Sequence, residues 1–237
     1  LKKFFDLIAF DADDTLWHNE WVYYEAKKKL INLLSPSFDP EEIERTLNEI
    51  EINNIKYYGY GIKSFGLSLI ETAVAVTEGH ISGEEIGKTI KFIKEMLEAE
   101  VRLFENAREV LKSLSKTFNL MLITKGEFIE QNPKISRSGL AEYFRYIEIV
   151  SEKSNQTYQN ILNKFNLTPD RFLMVGNSLR SDIIPVLEIG GQAVYIPYED
   201  TWFHENQIEP DLEPGFYHEI DDLSQLPGLI SKISRNQ

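Results

Sequence analysis

The stretch Leu7-Ile-Ala-Phe-Asp-Ala-Asp-Asp-Thr-Leu-Trp17 sets an apolar run against three carboxylates in four positions, Asp11, Asp13 and Asp14. The apolar part, Phe4 to Phe10, is short, which fits a buried strand better than a helix. Like charges a few ångströms apart repel, and a buried carboxylate is costly, so acids crowded at a strand end need a cation or water. The rest of the chain decides which.

Outward from this stretch the rhythm changes twice. From about Asn19 to Leu34 and from Pro40 to Tyr57, apolar residues recur every three or four positions, with Ser-Pro-Ser-Phe-Asp-Pro-Glu-Glu (35–42) supplying the break and an acidic first turn. Two further helices are predicted over Ser64–Thr77 and Gly83–Ala99, the second capped by Ser82. Beyond Leu103, helical and extended segments alternate. Residues 119–124, 146–150, 171–176 and 192–197 read as strands, and 107–116, 127–140, 157–167 and 179–190 as helices. Such alternation predicts a parallel sheet with helices on both faces. An edge strand near 215–220 and a last helix near Leu223–Ile233 complete the pattern. The expected fold class is therefore α/β, a doubly wound parallel sheet with an inserted all-helical segment. The expected division is residues 1–16 and 104–237 for the sheet domain and 17–103 for the helical insertion.

Composition limits the partners. With 38 Asp and Glu against 25 Lys and Arg the net charge is −13, and no local basic patch offsets it, which disfavours nucleic acid and anionic membrane surfaces. No apolar run approaches the roughly 18 residues that cross a bilayer. Zero cysteines exclude disulfides, thiol nucleophiles and cysteine zinc sites, and the four histidines are not closely paired. The first ten residues lack the apolar core and cleavage site of a secretory signal, so the expected compartment is the cytoplasm. Oligomeric state is not legible. A small anionic ligand is compatible with the acidic balance, because a metal ion and a lysine reverse the potential locally.

In a doubly wound sheet ligands bind outside the carboxyl ends of the strands. Four predicted strands end in polar residues there: Asp11 and Asp13; Thr124; Lys153; and Asn177 with Asp182. Carboxylates, a hydroxyl and an ammonium on one rim suit phosphoryl transfer. A phosphate monoester repels a carboxylate nucleophile, so a hard divalent cation with oxygen ligands, Mg²⁺, is expected.

The order Phe10-Asp-Ala-Asp-Asp-Thr-Leu16, Leu122-Ile-Thr124, Lys153 and Val175-Gly-Asn-Ser-Leu-Arg-Ser-Asp182 resembles the four motifs of the haloacid dehalogenase superfamily and covers the whole chain. The resemblance implies a Rossmann-like core with a helical cap after the first motif. It implies that Asp11 becomes an aspartyl-phosphate and that Asp13 protonates the departing oxygen, then activates water. Thr124, Lys125 and Lys153 would bind the phosphoryl group, and Asp11, Asp13 through its backbone carbonyl, Asn177 and Asp182 would surround Mg²⁺. Superfamily members that cleave carbon–halogen bonds generally lack the second aspartate, so Asp13 favours a Mg²⁺-dependent phosphatase of small phosphorylated metabolites. A phosphomutase, or a binding protein of the same fold without turnover, is the alternative.

Three departures are visible. Asp14 stands where glycine is commonest, Asn177 where an acid is usual, and Ser154 rather than proline follows Lys153. Lys134 is a rival for the lysine role but falls within a helical stretch. Asp14 reads as a turn or supporting group, and His18 as a polar residue at a helix start. The aromatics and Lys63 of Asn53–Phe65 face either a leaving group or a core. Trp202 and Phe203 either line the rim or pack.

Overall fold

The computed structural model describes residues 4–199 and 217–235. Trp202 and Phe203 lie outside the described residues.

Six parallel strands form the main sheet: β1 (Leu7–Phe10), β4 (Asn119–Lys125), β5 (Tyr146–Val150), β6 (Phe172–Gly176), β7 (Gln192–Tyr195) and β8 (His218–Glu219). Their spatial order is β5-β4-β1-β6-β7-β8. Numbered by their own succession this is 3-2-1-4-5-6, the Rossmann order, and the chain reverses its direction of travel across the sheet beside β1. β1 is central, with Ala9 opposite Met121 on one side and Met174 on the other. Burial on both faces explains why β1, β6 and the middle of β4 are continuously apolar rather than alternating.

The period of two still sorts the side chains. Ile8, Phe10, Leu120, Leu122, Leu173 and Val175 pack on one face with α5 (Ala107–Leu114) and α9 (Leu226–Ile233). Leu7, Ala9, Met121, Ile123, Phe172 and Met174 turn to the other, against α7 (Asn155–Lys164) and α8 (Ile184–Glu188). The sheet is thus doubly wound, as the alternation predicts.

Three elements are not foreseen from the sequence. β2 (Trp17–His18) pairs antiparallel with β3 (Arg102–Leu103), too short a ladder to leave a periodic signal. The expected helix over 179–190 is instead a wide, π-type turn (Leu179–Ile183) followed by the five residues of α8, with Pro185 in its first turn. β1 also begins at Leu7 rather than Phe4, although the Asp6 N–H still bonds to the Arg171 carbonyl beside β6.

By its internal contacts the chain divides into two compact units, one comprising Trp21–Glu100 and Gly126–Glu130 and the other the remainder. The first holds α1 (Glu20–Leu34, all but its first residue), α2 (Pro40–Tyr58), α3 (Ile62–Val76) and α4 (Gly83–Glu98). Local signals set these helices. Asp39 caps α2 by accepting from the Glu41 N–H, with Pro40 at the first position. Ser82 and Glu85 form a reciprocal capping box on α4. The unit has its own core, centred on Leu30, Ile43, Leu47, Phe65, Leu69 and Ala73. Within it, Phe65 is core, Tyr57 is 70% exposed, and Lys63 pairs with Glu127.

Glu51 on α2 makes this unit pH-sensitive. Burial pushes its carboxyl up to about 7, against the opposing pull of Lys27. The folded unit therefore holds a proton that the unfolded chain releases near pH 4.5, so stability falls as pH rises from there to about 7. Glu51→Gln is expected to raise the thermal midpoint relative to wild type at pH 8 but not at pH 4. A midpoint difference that is the same at both values would contradict this.

Candidate active site

At the carboxyl ends of the strands Asp11, Lys153 and Asp182 meet. Asp11 follows β1, its N–H bonded to the Val175 carbonyl of β6. Its carboxylate and that of Asp182, 6% and 1% exposed, accept from the same ammonium, Lys153. The Lys153–Asp182 bond is 2.6 Å, and Lys153 reaches Asp11 Oδ1 with it. Lysine stays buried when it is paired, and here one cation faces two anions. The trio therefore carries a net negative charge. Burial foremost, with repulsion from Asp182 and Asp13, pushes Asp11 up to about 7 in spite of Lys153. Lys153 itself is held far above the usual lysine value: burial opposes the charge, but the two carboxylates outweigh it.

Asp182 is aimed by the wide turn that replaces the expected helix. Its Oδ2 accepts from the Ser178 N–H at 3.0 Å, and its own N–H returns to the Ser178 carbonyl at 2.8 Å. The carboxylate lies so close to the end of β6 that a Cβ on Gly176 would fall 2.2 Å from Asp182 Oδ2. Asn177, next in line, accepts at Oδ1 from Thr15 Oγ1 at 3.1 Å, and the same hydroxyl lies 3.1 Å from Asp11 Oδ2. One proton serves both acceptors, so Thr15 links Asp11 and Asn177.

Thr124 is the next-to-last residue of β4, the strand beside β1; it is 1% exposed, and its Oγ1 has no hydrogen-bond partner among the described residues. A buried hydroxyl without a partner costs about 1–3 kcal/mol, which marks a place for a ligand or water. Lys125, the next residue, donates to Ser181 Oγ at 3.1 Å.

Asp13 is held differently. Its Oδ1 accepts from Trp17 Nε1 at 2.6 Å and from Lys134 at 2.6 Å, and its Oδ2 from Gln131 Nε2 at 2.9 Å. Burial raises its carboxyl, but the Lys134 charge and these three bonds prevail and hold it below the usual carboxylate range. Asp14 has φ 58°, the left-handed turn where glycine would be at ease. Its Oδ1 accepts from the Asn19 and Glu20 N–H groups at 2.7 and 3.2 Å, so the side chain starts α1 while the backbone turns. His18 stacks on Phe104 with ring centres 3.9 Å apart and lies near Tyr198.

The sequence reading had no place for Thr15, Gln131 or Ser178 and set Lys134 aside. Lys134 and Gln131 lie on α6 (Phe128–Ser138), 8% and 2% exposed. The available signal was their spacing, i and i+3 on one helix face, in a chain whose other lysines are mostly solvated.

Comparison with known proteins agrees with the fold and motif order. The chain belongs to the haloacid dehalogenase-like hydrolases, whose family model matches residues 5–190. It is 27% identical over 235 residues to a glyceraldehyde 3-phosphate phosphatase of Methanothermobacter thermautotrophicus, covering 94% of this chain and 98% of that protein. A phosphatase of the same name from Pyrococcus furiosus is also 27% identical, over 97% of this chain and 93% of that one. The crystal structure of a haloacid dehalogenase-like family hydrolase from Xanthomonas campestris superposes with a TM-score of 0.87 at 37% identity, covering 100% of this chain and 96% of that one.

Gly176→Ala tests the close approach at the end of β6. The added methyl group is expected to cost about 1–3 kcal/mol of stability and, by displacing Asp182, to lower hydrolytic turnover by at least about 10²-fold. Stability by denaturant titration beside steady-state rates checks both, and unchanged rates would show that Asp182 need not sit there.

Proposed function

We propose that this protein is a Mg²⁺-dependent phosphatase of small phosphorylated metabolites, acting through a phosphoryl group on Asp11. One observation carries the reading: Asp11 and Asp182 share the buried Lys153, with the partnerless hydroxyl of Thr124 at the end of the neighbouring strand. The names of the two archaeal relatives support phosphate esters as the substrate class, and glyceraldehyde 3-phosphate is the first candidate.

The residues suit the metal. Among the described residues no three His, Cys, Asp or Glu side chains form a metal cage. Mg²⁺ typically takes one or two carboxylates and completes its shell with water and substrate phosphate, so Asp11 and Asp182 are the kind of donor set it uses. The ion would be held by Asp11, Asp182, the backbone carbonyl of Asp13 and, on the neutral side, Asn177. When bound, it supplies the positive charge that lets a dianionic ester approach an anionic nucleophile.

The chain's own groups then divide the work. An Asp11 oxygen attacks phosphorus; the bond from phosphorus to the ester oxygen breaks, and its electron pair leaves with that oxygen. Asp13 is ionised in the free protein; a dianionic ester brought beside it favours its protonated form, and in that form it gives its proton to the departing oxygen. Lys153 and Thr124 donate to phosphoryl oxygens, with Lys125 beside them. In the second half Asp13 takes a proton from water as the water oxygen attacks phosphorus, which frees inorganic phosphate and restores Asp11. The four-helix unit would serve as a cap that excludes bulk water and selects the leaving group. No helix among the described residues is long and apolar enough to cross a membrane.

A phosphate-release screen over metabolite monoesters, glyceraldehyde 3-phosphate included, with and without Mg²⁺, tests the proposal. Release is expected only with the metal, and Asp11→Asn should lower it by at least about 10³-fold. Mass spectrometry of acid-quenched wild type should find one phosphoryl group on the peptide containing Asp11. Activity that survives in Asp11→Asn, or a wild type inert on the whole panel, would overturn the reading.

A further inference from the structure

The phosphatase reading needs Asp13 to reach the leaving oxygen in the first step and the water in the second, but gives no role to the residues that grip it. Asp13 accepts three hydrogen bonds from two elements: Trp17 Nε1 of β2, and Lys134 Nζ and Gln131 Nε2 of α6. Each donor is itself fixed. Trp17 is buried, and its ladder with Leu103 sets where the indole starts. Gln131 Nε2 also donates to the Lys125 carbonyl at 3.0 Å, so both amide hydrogens are spent on oxygens. That orients the amide, because the opposite orientation would set its oxygen against a carboxylate and a carbonyl. Lys134 donates to Asn19 Oδ1 at 2.8 Å as well as to Asp13. Asn19 is tethered in turn by its N–H to Asp14.

We propose that Lys134 and Gln131 are positioning residues for the acid–base chemistry of Asp13: together they fix the carboxylate's rotamer, with Asn19 aiming Lys134. Burying a lysine away from the Lys153 trio is costly, and an exposed surface pair would not need it. The i, i+3 spacing delivers an ammonium to one carboxylate oxygen and an amide to the other, which blocks rotation about the Cβ–Cγ bond. A carboxylate held this way meets both the leaving oxygen and the later water without a search, which is worth more to the step that needs a proton than to substrate binding.

The proposal rests on the reading of Asp11 as nucleophile and Asp13 as acid and base, and the test separates the two. Single-turnover release of the leaving group is measured for a simple alkyl phosphate, whose alkoxide needs a proton, and for p-nitrophenyl phosphate, whose phenolate leaves without one. Lys134→Met is expected to slow alkyl release by about 10–100-fold and nitrophenol release by less than about 3-fold, with KM nearly unchanged; Lys134→Arg should restore most of the alkyl rate. Equal slowing of both substrates, or of neither, would overturn the positioning role. If Lys134→Met does not fold, Gln131→Leu is read for the same selectivity, and its absence there overturns the role equally. Asp11→Asn is run alongside: wild-type rates in that variant would sink the nucleophile itself, whereas its inactivity beside an unselective Lys134 variant would sink only the proposal made here.

Discussion

One buried ammonium between two buried carboxylates is the constraint around which the rim of this sheet is organised. Removing an ion from water costs several kcal/mol even after relaxation, and here two buried carboxyl groups share a single ammonium. Such an arrangement is a poor way to gain stability. In the function proposed here it would keep the site ready for a divalent cation and a phosphoryl group, because the lysine offsets the repulsion between the two acids before an ion binds.

The sheet makes that meeting possible. Parallel pairing aligns the carboxyl ends of β5, β4, β1 and β6, so residues separated by more than a hundred positions, Asp11 and Lys153 among them, share one edge. Fine placement then falls to short, irregular pieces. Asp14 accepts the left-handed turn and repays it by bonding two N–H groups at the start of α1. The wide turn after β6 throws Asp182 back over Gly176, where no side chain fits.

The sequence carried the strands clearly, because segments buried on both faces are short unbroken apolar runs, and the polar residue that ends each one is conspicuous. Asp11 and Thr124 were legible for that reason, Lys153 and Asp182 because they follow a strand within a few residues, and their order along the chain was more informative than any single residue. Lys134 was not. It sits inside a helix, where a lysine ordinarily faces solvent, and only the tertiary packing of α6 carries it to Asp13. The turn at Leu179–Ile183 was hidden for a related reason: its apolar spacing is helical, and the hydrogen bond from the Ser178 N–H to the Asp182 side chain that shapes it has no periodic signature. β2 and β3 were too brief to show at all.

The central claim is that Asp11 and Asp182 are held by Lys153 as a preformed pair for one metal ion. A crystal structure with Mg²⁺ and trifluoroberyllate, which mimics a phosphoryl group on a carboxylate, measures this directly. The account predicts beryllium bonded to an Asp11 oxygen, one Mg²⁺ at about 2.0–2.1 Å from oxygens of both Asp11 and Asp182, and Lys153 still donating to the bound group. Mg²⁺ bound elsewhere, or Asp182 left paired with Lys153 and outside the metal's shell, would contradict it.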